Sequence, residues 1–207
     1  QRVFGFAGHG GHAEFIAMPE DAALAVTPDS LSDAEAAALP FGALAALVFL
    51  RDVARLRAGQ SVLITGGSGG VGVYAVQIAK AMGATVTATA SGAKADLVRA
   101  LGADHVIDWK AEDISAARNA YDLVFDTVGA TRYTAMLGAL RKNGLFLPLN
   151  FGGRELWHIL LSKLLRGPRI ALHVNADRAE DLQTILRMIE AGDLRPVIDR
   201  RFALGDV

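Results

Sequence analysis

The run Val62-Leu-Ile-Thr-Gly-Gly-Ser-Gly-Gly-Val-Gly72 is where this sequence could do chemistry. An apolar strand pattern breaks into five glycines there and resumes as the helix-like Val73-Tyr-Ala-Val-Gln-Ile-Ala-Lys80. Read as GxGxxG on Gly67, Gly69 and Gly72, it is a loop for a dinucleotide pyrophosphate. Glycines permit the tight turn and the close backbone approach, and the helix N-terminus attracts the anion. Read as GxSxG on Gly66, Ser68 and Gly70, it is a serine-nucleophile elbow in a suitable strand–turn–helix context. His9-Gly-Gly11 upstream resembles an oxyanion motif, and Asp122, Asp126, His158 and His173 follow Ser68 in the order that a Ser-Asp-His hydrolase needs. The hydrolase reading leaves the two further glycines before the helix unexplained, and histidines beside apolar elements also serve structural roles.

A third pattern, TGxxxGxG on Thr65, Gly66, Gly70 and Gly72, is that of short-chain dehydrogenases. Those enzymes need a Tyr followed four residues later by Lys. Tyr74, Tyr121 and Tyr133 are followed at that spacing by Ile78, Phe125 and Leu137. Within the dinucleotide reading, the end of the next strand separates the coenzymes, because an NAD site carries an acid about 20 residues after the loop. Here the sequence is Thr89-Ala-Ser-Gly-Ala-Lys94. Ser91 offers a hydroxyl and Lys94 a cation to a 2′-phosphate, which favours NADP(H) over NAD(H). The plainer reading makes Ser91 a helix cap and Lys94 a solvated side chain.

These residues need a scaffold, and the periodicity supplies one. Strand-like runs at 61–65, 85–89, 105–109, 123–126, 145–149 and 170–174 alternate with helical stretches at 70–82, 94–101, 111–120, 130–140, 155–165 and 178–191. That alternation predicts an α/β fold with a doubly wound, parallel, six-stranded sheet of the Rossmann type. The first 60 residues differ. Gly10–Met18 alternates like an edge strand, and Leu24–Val26 resembles a second short one. Ser32 and Glu35 have capping-box spacing before a short helix closed by Pro40, and a further helix is expected over 44–56.

Composition narrows the classes. The 207 residues are 52% apolar, carry 21 basic and 22 acidic side chains, and include no cysteine. A chain without Cys cannot be a disulfide scaffold, a thiolate metal module or a cysteine hydrolase. With the basic residues Lys163, Arg166 and Arg169 as its densest basic cluster, it offers no face for nucleic acid. Its most apolar stretch, Ala34 to Leu50, is broken by Glu35, Pro40 and Gly42, so no membrane span is expected. The expectation is a cytoplasmic protein with no signal peptide. The absent initiator Met and the abrupt ending at Val207 suggest a fragment.

Several segments in order resemble the medium-chain dehydrogenase/reductase superfamily, in its zinc-independent quinone oxidoreductase (zeta-crystallin-like) branch. They are Gly11-His-Ala-Glu-Phe15 with Pro19-Glu20, Leu31-Ser-Asp-Ala-Glu-Ala-Ala-Ala-Leu-Pro40, the glycine loop with Ala75-Val-Gln-Ile-Ala79, Leu101-Gly-Ala-Asp-His-Val-Ile-Asp108, Phe125-Asp-Thr-Val-Gly129 and Gly144. The resemblance implies an NADPH-dependent reductase delivering hydride to a quinone or an α,β-unsaturated carbonyl. It implies that Gly67, Ser68, Gly69, Gly70, Val71 and Gly72 bind the cofactor, the backbone of Gly69, Gly70 and Val71 meeting the pyrophosphate, and that Ser91 and Lys94 meet the 2′-phosphate. Thr127, Val128 and Gly129 would lie along ribose and nicotinamide edge, with Asn150 and Phe151 near the nicotinamide. It identifies no catalytic residue within the chain.

Phe41 stands where zinc-dependent relatives carry a metal ligand, usually Cys, so no metal is expected, and a site built on His9 and His12 alone lacks further ligands. Trp109 and Ala45 replace a Tyr and a Thr common in the family. The implied domains are a remnant of a GroES-like β domain over 1–27, the NADP-binding Rossmann domain over 28–192, and the start of a return segment over 193–207. A homodimer through the last strand is a further implication. A non-catalytic dinucleotide-binding module fits the same residues.

Overall fold

The computed structural model describes residues 1–153, 158, 159, 162, 167–173 and 178–206. In chain order the elements are β1 (Val3–Gly5), β2 (Leu24–Val26), α1 (Asp33–Ala38), α2 (Pro40–Val48), β3 (Ser61–Thr65), α3 (Gly72–Ala81), β4 (Thr85–Ala90), α4 (Ala95–Ala100) and β5 (His105–Asp108). They continue with β6 (Tyr121–Asp126), α5 (Tyr133–Met136), β7 (Leu140–Pro148), β8 (Arg169–Ile170) and α6 (Ala179–Glu190). The main sheet has six strands in the order β5-β4-β3-β6-β7-β8, every neighbouring pair parallel. This is the expected doubly wound sheet, and the chain reverses its winding at β3, between β4 and β6.

β3 sits at the centre because Val62, Leu63 and Ile64 can be buried on both faces, and all three are fully buried. Helices α2 and α3 cover one face with small side chains that let them approach closely, and Ala43, Ala46, Ala75 and Ala79 are fully buried. The amphipathic α6 adds Leu182 and Ile185 to the same core. Its N-terminal Asp181 is buried but paired, with Arg51 at 2.7 Å and Arg178 at 3.1 Å. α1 starts on the expected capping box: the Glu35 amide donates to Ser32 Oγ and the Ser32 amide to Glu35 Oε2.

Other local expectations are corrected. The strand expected over Gly10–Met18 is absent. Gly8 and Gly10 have positive φ, and Phe15 is 91% exposed, so the segment pairs with no ladder; the strand that pairs antiparallel with β2 is Val3–Gly5. Gly5 is required there, since a Cβ would lie 2.2 Å from the Ala23 carbonyl oxygen. Pro40 opens α2 at its first position, where its missing N–H costs nothing, and the expected helix over 44–56 is instead α2 followed by a π-helical turn over Phe49–Val53.

The helix expected over 111–120 is a turn with one 3-10 segment, Ile114–Ala116. Asp113 caps it through the Ser115 amide, Arg118 donates to the carbonyls of Ser115, Ala116 and Ala117, and the Asn119 and Ala120 amides reach across to Gly138 and Ala139. Side chains and sheet ends thus take the groups that a helix would have paired internally. The helix over 130–140 shrinks to α5, because Leu140 already pairs with Tyr121 in the sheet. Strand β8 ends at Ile170, short of the expected 170–174, where Val174 lies outside the described residues, as does most of the helix expected over 155–165.

Candidate functional site

The glycine loop leaves the carboxyl end of β3 at the switch point, where such sheets open a crevice. Gly66 turns the chain at φ +69°, its amide donating to Thr89 Oγ1 at 2.9 Å and the Gly67 amide to the Thr89 carbonyl at 2.8 Å, so β4 pins the first half of the loop. The Gly69 amide closes back on the Gly66 carbonyl at 2.9 Å. Three glycines are sterically obligatory: a Cβ would lie 2.4 Å from Val128 at Gly66, 2.9 Å from Ala88 at Gly67 and 2.0 Å from the Gly66 carbonyl oxygen at Gly72. Beneath the loop, Gly42 of α2 packs so closely that a Cβ there would lie 2.1 Å from the Gly70 carbonyl oxygen.

Above the loop the space is open, and a Cβ at Gly70 would meet nothing within 4 Å. Among the described residues no protein acceptor pairs the amides of Ser68, Gly70, Val71 or Gly72. Those amides gather at the N-terminus of α3, where the helix dipole adds positive potential. Unpaired donors, positive potential and a missing side chain suit a pyrophosphate.

The opposite lip is built by Asp126, the last residue of β6, which is fully buried. Its Oδ1 accepts from the Thr65 hydroxyl at 2.6 Å, the Gly129 amide at 3.1 Å and the Val128 amide at 3.3 Å, and its Oδ2 accepts from the Thr131 amide at 3.0 Å. Thr127 points inward and donates to the Thr65 carbonyl at 2.6 Å, so its hydroxyl ties β6 to β3. The lip carries Val128, half exposed, and Gly129, at φ +72°, against which Asn150 packs. Phe151 follows, 40% exposed.

Between loop and lip lies a cleft of about 660 Å³ lined by Ser68, Gly69, Thr89, Trp109, Val128 and Thr131 among others. Glu112, Asp113 and Ile114 form a wall that the sequence reading assigned to a helix. The Asp113 carboxyl is held below the usual carboxylate range by the Ser115 hydroxyl and amide, and Glu112 accepts from the Asp108 amide. That carboxylate wall repels phosphate and leaves the α3 N-terminus as the anion-binding side. An Asp-x-Ser turn signal was legible at 113–115, while nothing local marked Asp126 as the organiser of the lip.

At the end of β4, Ser91 is in extended conformation and makes no side-chain cap bond, which removes its plainer role. Lys94 pairs with Asp199 Oδ1 at 2.9 Å. Asp108, from the end of β5, accepts from the Gly92 amide at 3.1 Å. A strand end without acids in sequence therefore has two acids beside it in space.

The hydrolase constellation is not assembled. No histidine lines the cleft at Ser68: His173 packs edge-on against Phe49, His158 lies against Tyr133, and His9 and His12 line a separate groove. Asp122, at the opposite end of β6, accepts from the Ser61 amide and Arg141. Phe41 is exposed, its ring tilted at 34° to that of Phe6, Ala45 is buried, and among the described residues no group of three or more His, Cys, Asp or Glu side chains could hold a metal. Lys110 lies over the ring of the exposed Trp109.

The family model described as zinc-binding dehydrogenase matches residues 70–191. The chloroplast envelope quinone oxidoreductase homolog of Arabidopsis thaliana is 31% identical over 213 residues, covering 98% of this chain and 64% of the relative. The trans-enoyl reductase pgmF of Aspergillus terreus is 31% identical over 94% of this chain and 58% of its own length. Among solved structures, the quinone oxidoreductase from Coxiella burnetii superposes with a TM-score of 0.80 at 30% identity, covering 90% of this chain and 58% of that one. The chain thus spans less than two thirds of the curated relatives it matches. With the family model covering more than half of it, the chain belongs to the zinc-binding dehydrogenase family.

Proposed function

We propose that the chain is the coenzyme-binding portion of an NADPH-dependent oxidoreductase that transfers hydride to a quinone or an α,β-unsaturated carbonyl. The observation that carries this is the set of unpaired amides at Gly70, Val71 and Gly72, under an open space at Gly70 and at the switch point of the sheet. The relatives named as a quinone oxidoreductase homolog and an enoyl reductase support the reaction class.

A bound nicotinamide coenzyme supplies the hydride. The chain's own residues bind and orient it: the α3 N-terminus takes the pyrophosphate, Asp126 fixes Val128 and Gly129 as the lip, and Asn150 lies beside Gly129. Ser91 and Lys94 supply a hydroxyl and a cation at the end of β4, where the adenosine ribose lies in sheets of this type. In this reading residues 28–192 form the coenzyme unit, residues 1–27 belong to the neighbouring domain, and residues 193–207 begin the return to it.

Fluorescence titration of the chain with NADPH and NADH tests the assignment. NADPH is expected to bind more tightly; binding of neither, or a preference for NADH, overturns it. Turnover of the complete protein on quinones and enones tests the reaction class.

A further inference from the structure

The segment after α6 is not a loose tail. Leu194 is buried, and Gln77 grips the backbone of Arg195 from both sides, its Oε1 accepting from the amide at 2.9 Å and its Nε2 donating to the carbonyl at 3.2 Å. From that anchor the chain reaches back to the end of β4, where Asp199 Oδ1 meets Lys94 Nζ at 2.9 Å and Asp199 Oδ2 meets Arg200 Nε at 3.3 Å. We propose that Asp199 is a specificity-determining residue: it occupies Lys94 as an internal counter-anion that a coenzyme 2′-phosphate has to displace. The inference rests on the coenzyme reading above and concerns how strongly that site discriminates between the two dinucleotides.

The pair is well placed and weak enough to exchange. Both side chains are about half exposed, 47% for Lys94 and 63% for Asp199, and exposed ion pairs contribute little net free energy. The Lys94 and Arg200 contacts hold the Asp199 carboxyl below the usual carboxylate range, so it is ionised at neutral pH. Asp199 therefore halves the cationic charge that Lys94 and Arg200 together would present to a phosphate. The other acid at this turn, Asp108, already accepts from the Gly92 and Lys110 amides and stays in place. A dinucleotide without a 2′-phosphate has no reason to break the Lys94–Asp199 pair. By linkage, NADP(H) loosens the 196–202 segment from its contact and NAD(H) does not.

The test measures dissociation constants for NADPH and NADH by fluorescence titration on the full 207-residue chain, for the parent, Asp199→Asn, Lys94→Gln and the double variant. Both positions are exposed, and thermal melts establish that each variant folds. Asp199→Asn is expected to tighten NADPH about fivefold, by the upper range for an exposed pair, with NADH unchanged. The gain should shrink in high salt and in the Lys94→Gln background. An unchanged NADPH-to-NADH ratio in Asp199→Asn, with that ratio lowered in Lys94→Gln, overturns the counter-anion role and leaves the coenzyme reading standing. A ratio unchanged in Lys94→Gln removes the 2′-phosphate site itself and the inference with it.

Discussion

Asp126→Asn isolates the group that holds the lip of the cleft. In the parent, one carboxylate accepts four hydrogen bonds at 2.6, 3.0, 3.1 and 3.3 Å from Thr65, Thr131, Gly129 and Val128, in a site with no solvent access. An amide oxygen can keep the three donors on Oδ1, but the new Nδ2 then faces the Thr131 amide, donor against donor. The loss is one charge-assisted bond plus one buried N–H without an acceptor, together about 3 kcal/mol. For a chain of this length each kcal/mol moves Tm by about 2–4 °C, so the melting temperature should fall by about 6–12 °C. Because Val128 and Gly129 ride on the same carboxylate, coenzyme affinity should fall with it. Circular dichroism melts and a nucleotide titration read the two effects separately. Thr65→Val removes only one donor and should cost about 1 kcal/mol. A melting temperature for Asp126→Asn within about 2 °C of the parent would refute the argument that this carboxylate organises the lip.

Gly72→Ala places a Cβ 2.0 Å from the Gly66 carbonyl oxygen, a backbone atom that cannot swing aside. The loop must shift, and dinucleotide binding should weaken at least tenfold in the same titration, while far-UV circular dichroism keeps the sheet signal; retained affinity would show that the loop does not hold the pyrophosphate. Asp104, gripped by Lys80 at 2.6 Å and the Val86 amide at 2.8 Å, has its carboxyl pushed down from the ordinary value, so it contributes stability above about pH 4 that disappears as pH falls below it. Asp104→Asn should be less stable than the parent in urea at pH 7, and the difference should shrink as pH is lowered below about 4.

Local patterns were legible wherever the physics is local. The glycine loop, the capping box at Ser32 and Glu35, and the apolar runs of β3, β4 and β6 could be read residue by residue, since turn sterics, amide capping and two-sided burial each need only a few neighbours. The segment over 111–120 departs from its helical composition on both grounds. Asp113 and Arg118 cap a turn locally, while the Asn119 and Ala120 amides pair with Gly138 and Ala139, a partner stretch that no local window contains. The edge-strand pattern at Gly10–Met18 failed likewise, because alternation makes a strand only when a partner is there to pair with.

By itself the sequence determined the succession of the six strands of the main sheet, the glycines that open the loop, and the family to which the chain belongs. Only the tertiary structure decided which charges stand at the end of β4. Within the window Thr89 to Lys94 no acid appears, yet Asp108 arrives from the neighbouring strand and Asp199, 105 positions from Lys94, from a segment that Gln77 anchors at Arg195. Electrostatic attraction acts through space, so the charge balance of a binding site is set by whichever residues the fold brings within a few ångströms, and no local window contains that information.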